Sequence, residues 1–375
     1  MAFATIGTTG IADDAVTSAK VAPGVVDTEA QPNQAPIIIN GDMAVAQRAT
    51  STSSITSDGF YTLDRFQTHI SSLGTWTQSQ DTDVPSGQGF ANSLKMDCTT
   101  ADASPSAGDF CIIRTKFEGQ DLQLFKKGTS NAEKFTVAFW VKSSKTGTHI
   151  VELFDIDNSR TVSQAYTISS ADTWEKKVVN FPADTTGAFG DDNGRSLDIQ
   201  FWLGTGTTYS SGTLQTTWAG QTNANRAVGQ VNLADSTSNN WYITGVQLEV
   251  GEFTSSTIPP FQHESYGDNL ARCQRYFQAF HPRGSGKAFG STTAYLQVPL
   301  LKAMRSTPSY TQNAVFRITN NDTGEFTQSS TGGSFDQSDN HSGRLAGNNF
   351  SGLTDAQTIF ASPNGNVSAF FNSEL

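Results

Sequence analysis

The chain of 375 residues is short of charge: Asp, Glu, Lys and Arg make up 16% of it, and 24 basic residues face 35 acidic ones, a net charge of −11. Binding nucleic acid needs Lys and Arg gathered against phosphates, and no such patch is visible, so that class is excluded. Methionine (4) and cysteine (3) are also scarce. Cys98, Cys111 and Cys273 cannot all pair within one chain, and no CxxC or Cys/His spacing suggests zinc. They read as reduced, buried thiols, with a Cys98–Cys111 bridge across a hairpin as the alternative. No run approaches the roughly 20 apolar residues of a membrane-spanning helix, so no membrane insertion is expected. The opening "MAFATIGTTG" lacks a basic stretch and an apolar stretch, so no secretory leader is expected in it. Catalytic fingerprints are missing too: there is no GxSxG, HExxH, GxxxxGK[ST] or GxGxxG.

What the chain does have is Gly (33), Phe (25) and many Ser, Thr, Asn and Gln residues, a mixture that favours strands and turns. "FTVAFWVKSS" alternates, with Phe135, Val137, Phe139 and Val141 on one face, the period of a half-buried strand. "HIVELFDID", "SQAYTIS", "WEKKVVNFP", "SLDIQFWLGTG" and "NWYITGVQLEVG" follow, separated by turn residues. Short strands in regular succession without helices between them imply a β-sandwich or jelly roll, placed at residues 35–262 and closed by Pro259-Pro260. The segment "SYGDNLARCQRYFQAF" then predicts one helix, with Leu270, Cys273, Tyr276, Phe277 and Phe280 on a stripe and Asp268 as N-cap. Strands return in "TTAYLQVPL", "AVFRITN", "QTIFAS" and "VSAFFNSEL". The expected fold is therefore mainly β: an N-terminal segment, a jelly roll, a short α-helix within residues 263–375, and a smaller C-terminal β-rich domain.

Residues 1–34 hold a ten-residue repeat in which Ile11, Ala15 and Val16 match Val21, Val25 and Val26. Its apolar positions are small and Pro23-Gly24 breaks any helix, so a single chain would leave them bare. Parallel copies around a shared axis would bury them, which predicts a trimerising stem; a disordered tail is the alternative.

The stretches "NGDMAVAQRATS" and "YTLDRF", the run "WYITGVQLEVGEF" with "FQHESYGDNLARCQRYF", "MRSTPSY" and the terminal "FFNSEL" resemble, in that order, structural fibre proteins of tailed bacteriophages, particularly marine ones. "IADDAVTSAKVA" resembles the stem segments of trimeric fibres. The resemblance implies a virion-attached homotrimer, anchored through its N-terminus to other virion proteins (tail, adaptor or capsid). It also implies a jelly roll like a carbohydrate-binding module, ending in the strand Trp241 to Gly251, and adsorption to a host surface glycan. A capsid head fibre or decoration protein without an obligatory receptor is the alternative, and a polysaccharide depolymerase the rival.

Sugar recognition needs aromatic faces beside hydrogen-bonding side chains. Trp76, Tyr209 and Trp218 sit in turn-rich polar surroundings and are the candidates, with Asn223, Asn225 and Arg226 as polar partners of Trp218; core packing is the competing explanation for each tryptophan. Trp140, Trp202 and Trp241, flanked by alternating strand residues, read as structural. Asp155 and Asp157 in "FDIDNSR", and Asp191 and Asp192 in "GDDNG", are weak calcium candidates better explained by turn chemistry. Hydrolysis of a glycoside needs two placed carboxylates, and nothing singles out a pair among Glu152 and these aspartates. The expectation is a binder, not an enzyme, with no cofactor.

Overall fold

The computed structural model describes residues 36–280, 284–320, 324–362 and 369–375; the stem expected at residues 1–34 lies outside the described residues. The first twelve strands are β1 (Ser51–Ile55), β2 (Gln67–Ser71), β3 (Thr75–Asp81), β4 (Ser93–Thr100), β5 (Phe110–Glu118), β6 (Phe135–Ser143), β7 (Gly147–Asp155), β8 (Arg160–Ile168), β9 (Glu175–Phe181), β10 (Arg195–Thr205), β11 (Ala219–Gly220) and β12 (Asn240–Val250). They form two antiparallel six-stranded sheets, ordered β1-β3-β4-β12-β6-β9 and β11-β8-β7-β10-β5-β2. Neighbours in space are mostly distant in sequence, as in a jelly roll.

The predicted alternation builds the core between the sheets. Phe135, Val137, Phe139 and Val141 of β6 are fully buried and meet Leu197, Ile199, Phe201 and Leu203 of β10, with Phe139 and Phe201 in edge contact at 5.1 Å. Burying each such side chain contributes roughly 1.5–3 kcal/mol. Trp241 and Cys111 belong to the same core, and all three cysteines are free and buried.

Ten further strands follow: β13 (Phe277–Phe280), β14 (Ser285–Phe289), β15 (Thr293–Pro299), β16 (Ser309–Gln312), β17 (Arg317–Asn320), β18 (Glu325–Thr327), β19 (Gly333–Asp336), β20 (Ser342–Gly347), β21 (Thr358–Ser362) and β22 (Ala369–Asn372). They make a three-stranded sheet, β13-β22-β16, and a seven-stranded sheet, β18-β17-β21-β14-β15-β20-β19. Their own core is centred on Leu296, Val298, Phe316, Leu345 and Phe371.

The helix is shorter than the sequence pattern predicts. A one-turn helix, α1 (Thr207–Ser210), precedes β11, and α2 covers only Tyr266–Cys273. Gln274 caps α2, and the chain then turns so that Phe277–Phe280 pairs with Ala369–Asn372 as a strand. The N-cap is Ser265, whose hydroxyl accepts from the Asp268 N–H while donating to the Asp268 carboxylate. Asp268 thus answers the cap from the first turn instead of forming it.

The stretches that carried the phage-fibre resemblance converge on one joint. Asn40 bridges Val45 and Asp64 through its side chain, and its N–H donates to Asn269 of α2. Glu118 at the end of β5 accepts both arms of Arg275 at 2.8 and 2.7 Å and the Tyr276 hydroxyl at 2.6 Å. Glu374 pairs with Arg48 and Arg65, whose guanidiniums lie over the rings of Phe277 and Tyr276. Arginines near the chain's end therefore pair with carboxylates and carbonyls, Arg305 included, which donates to Ser373 and Asn193 oxygens. These ties fix the β13–β22 region against one end of the second sheet of the sandwich.

Candidate functional site

Alternation that buries one face of β10 sends Asp198, Gln200 and Trp202 to the other. Register places them in rows across the outer face of the second sheet. One row runs His69, Ile112, Trp202, with Ile150 in the same buried cluster; the next runs Gln67, Arg114, Gln200, Glu152, Ser163; a third runs Lys116, Asp198, Phe154. One end of this face carries the loop from α1 to residue 231, and the other carries Glu118 with its partners from the C-terminal region.

The loop is held down by its own hydrogen bonds. Gly212 N–H donates to Ala224 O at 2.9 Å and Ala227 N–H to Tyr209 O at 2.8 Å. A Cβ on Gly212 would meet Asn225 Oδ1 at 1.9 Å, so the turn closes only with glycine there. Asn225 Oδ1 accepts from Thr213 N–H, and Asn223 accepts from Gln221. This closure lays Arg226 over the middle row, where Nε and Nη2 donate to the two Glu152 oxygens at 2.8 and 2.9 Å and Nη2 also reaches Gln200. Trp202 Nε1 donates to Glu152 as well, at 3.1 Å.

Around the buried Trp202 stand three partly exposed rings. Tyr209 meets Phe110 edge-on at 5.3 Å and Trp202 at 5.5 Å, and His69 lies 4.7 Å from Phe110. Beside them Arg195 forks onto Asp198, while Arg114 Nε donates to Gln67 Oε1 at 2.8 Å. The electrostatics follow burial. It raises the Glu152 carboxyl against the pull of Arg226. It pushes Arg114 down to about 10, with Asp198 opposing. Burial, with Arg114 and Arg195 adding to it, takes Lys116 down to about 7.

Of the residues singled out in the sequence, Tyr209 and Arg226 fall on this face, with Asn223 and Asn225 bracing the loop above it. Trp76 and Trp218 do not. Trp76 is fully buried in the sandwich core and donates to Leu73 O at 2.7 Å, so its ring offers no face to a ligand. Trp218 is 9% exposed, donates to Pro182 O at 2.8 Å and packs 5.9 Å from Phe135, above the Lys127 ammonium. Arg226 is therefore a partner of Glu152 and Trp202 rather than of Trp218. Trp202 and Trp241 are buried as expected of structural residues, but Trp140 is only half-buried.

The acidic clusters do turn and ion-pair work. Asp155 is buried against Lys127 and accepts from Asn158; Asp157 accepts from Gly190 N–H and Asp192 from Gly194 N–H; Asp191 is exposed. Among the described residues no group of three or more His, Cys, Asp or Glu is gathered around a metal-sized space.

The sequence could have shown the polar row in "IIRTKFE", "IVELFD" and "LDIQFWL", where Arg114, Glu152, Asp198 and Gln200 alternate with core residues. Which strands lie side by side was the missing step.

No known family model and no curated protein matches the chain. Among solved structures it is similar to the enzymatically active domain of tailspike protein 4 of bacteriophage CBA120, at 15% identity and a TM-score of 0.31, over 57% of this chain and 21% of that one. It is also similar to a CBM4 structure (10% identity, TM-score 0.27, 56% and 97% coverage). A third is the family 11 carbohydrate-binding module of Clostridium thermocellum in complex with a mixed-linked tetrasaccharide (10%, 0.25, 54% and 98%). This chain spans about a fifth of the tailspike chain, and its own side chains carry the functional reading below.

Proposed function

We propose that the protein is a non-enzymatic structural fibre protein of a tailed-phage virion, a homotrimer anchored through its N-terminal segment, and that its jelly roll binds host surface glycan during adsorption. The observation that supports this best is the outer face of the second sheet. The partly exposed rings of Tyr209, Phe110 and His69 stand beside the hydrogen-bonding side chains of Gln67 and Arg114, held on neighbouring strands next to a braced loop. Aromatic faces take the C–H surface of a sugar, and the Gln67 amide and the guanidinium take its hydroxyls. Three linked copies raise the effective concentration of a weak site.

Binding is favoured over hydrolysis because the carboxylates along this face are already engaged: Glu152 is forked by Arg226, Asp198 by Arg195 and Glu118 by Arg275, while Asp58 accepts from His69 and the Ile70 N–H. A general acid needs a free proton-carrying oxygen directed at substrate. Screening the full-length protein against bacterial surface glycans tests the reading. A binder should emerge whose affinity falls about tenfold in Tyr209→Ala, a loss of about 1.4 kcal/mol. Equal binding by a folded Tyr209→Ala protein would move the site elsewhere, and cleavage of the glycan would replace the reading with a depolymerase.

A further inference from the structure

Charge on the candidate face is unevenly answered. Arg226 is held by Glu152 through two hydrogen bonds, and Arg195 by Asp198 through two more. Asp58, the other carboxylate close by, accepts from His69 and from the Ile70 N–H. Arg114 stands between the two forks with one neutral acceptor, Gln67 Oε1, on its Nε. Its nearest carboxylate oxygen is Asp198 Oδ2, 3.7 Å from Nη1 and already bound by Arg195. A 3.7 Å approach is an ion pair without a hydrogen bond. The guanidinium therefore keeps terminal N–H donors with no acceptor in bonding range that belongs to it alone. It does so in the middle of a row, between Gln67 and Gln200, and is buried to about nine-tenths. Those terminal nitrogens are not among the buried polar atoms that lack a partner, so they reach solvent at the face, and an incoming anion would replace that water with charged acceptors. One buried group in the row lacks a partner: Ser163 Oγ, beside Glu152.

We infer that Arg114 is an acid-recognition residue, and that the ligand of this face is an acidic glycan whose sugar carboxylate is taken by the terminal nitrogens of Arg114. The neighbouring rings of Phe110, His69 and Tyr209 would hold the adjoining sugar faces. This rests on the glycan-binding reading above and adds the ligand class to it. A planar carboxylate matches the guanidinium fork, which a neutral hydroxyl engages through one contact only. The net charge of −11 on the whole chain opposes unspecific attraction of an anionic polymer, so binding of one depends on a local cation such as Arg114.

Titration calorimetry of the full-length protein, with a tetrasaccharide of galacturonic acid and the same tetrasaccharide after reduction of its carboxyls, tests this. The acidic form should bind about tenfold tighter or better, with an advantage that shrinks as salt rises. Arg114→Gln should remove the difference. Gln67→Glu, nearly isosteric, provides an internal carboxylate to the same guanidinium and should also remove it while leaving the fold intact, so the inference stands or falls even if Arg114→Gln unfolds. Equal binding of the two sugars, or a preference that survives Gln67→Glu, would overturn it. If neutral glycans bind at this face and uronates do not, the ligand class is wrong and the glycan reading stands; if no glycan of either kind binds, both fall.

Discussion

Arg226 and Glu152, 74 residues apart in sequence, meet through two parallel hydrogen bonds of 2.8 and 2.9 Å on a sheet face where the carboxylate is wholly buried. The pair ties the 206–231 loop to β7 and thereby sets the position of Tyr209. Removing one member leaves the other charge buried and unanswered, at a cost of about 3–5 kcal/mol, whereas replacing both with apolar residues is close to neutral. Arg226→Met should therefore lower stability strongly, and Arg226→Met with Glu152→Leu should recover most of it. Urea denaturation of the two variants measures this; a single variant as stable as the parent would show the pair to be idle.

Trp218 packs on Phe135 and covers the Lys127, Asp155 and Asp184 centre, with Nε1 bonded to Pro182 O. Trp218→Ala should cost about 3–5 kcal/mol, as large-to-small changes in a core do. The fraction that remains folded should bind glycan like the parent. A stable variant with lost binding would restore Trp218 to the site.

His149 lies buried against Tyr166, with Nδ1 lacking a partner, and burial takes its pKa down to about 4. The unfolded chain takes up a proton near 6.5, so between 6.5 and 4 it binds more protons than the folded one. Stability is then full above pH 6.5 and falls as pH drops toward 4, by of the order of 3 kcal/mol for this group. The thermal midpoint should fall less steeply from pH 7 through 5.5 to 4.5 for His149→Phe than for the parent. Identical slopes would assign acid sensitivity to other groups.

Light scattering on the chain with and without residues 1–34 tests the proposed assembly. A trimer is expected at full length and its loss on truncation. A trimer that survives truncation would put the assembly surface in the β domains, and a full-length monomer would contradict the fibre reading.

Much of the sandwich was legible because the alternation of Phe135, Val137, Phe139 and Val141 is set by the strand period alone. The helix was overextended because Tyr276 and Phe277 suit a helical stripe as well as they suit the start of a strand. Only the pairing of Phe277–Phe280 with Ala369–Asn372 separates the two, and that partner lies about 90 residues away. The burial of Trp76 and Trp218 is hidden from the sequence for a related reason. Polar neighbours describe the turn around a residue, while the direction of its side chain depends on register. The Arg114 row lay hidden in five separate strands, each showing a polar residue at an outward position and none showing its neighbours.

Glycan bound on the outer face of the second sheet is read most directly by amide hydrogen exchange at saturating glycan. Protection is predicted at Gly206–Thr213, Asn223–Ala227 and the β2–β5 ladder around Gln67 and Arg114. Protection confined to the C-terminal seven-stranded sheet, where Phe289 and Phe360 are exposed, would rule out that face as the binding site.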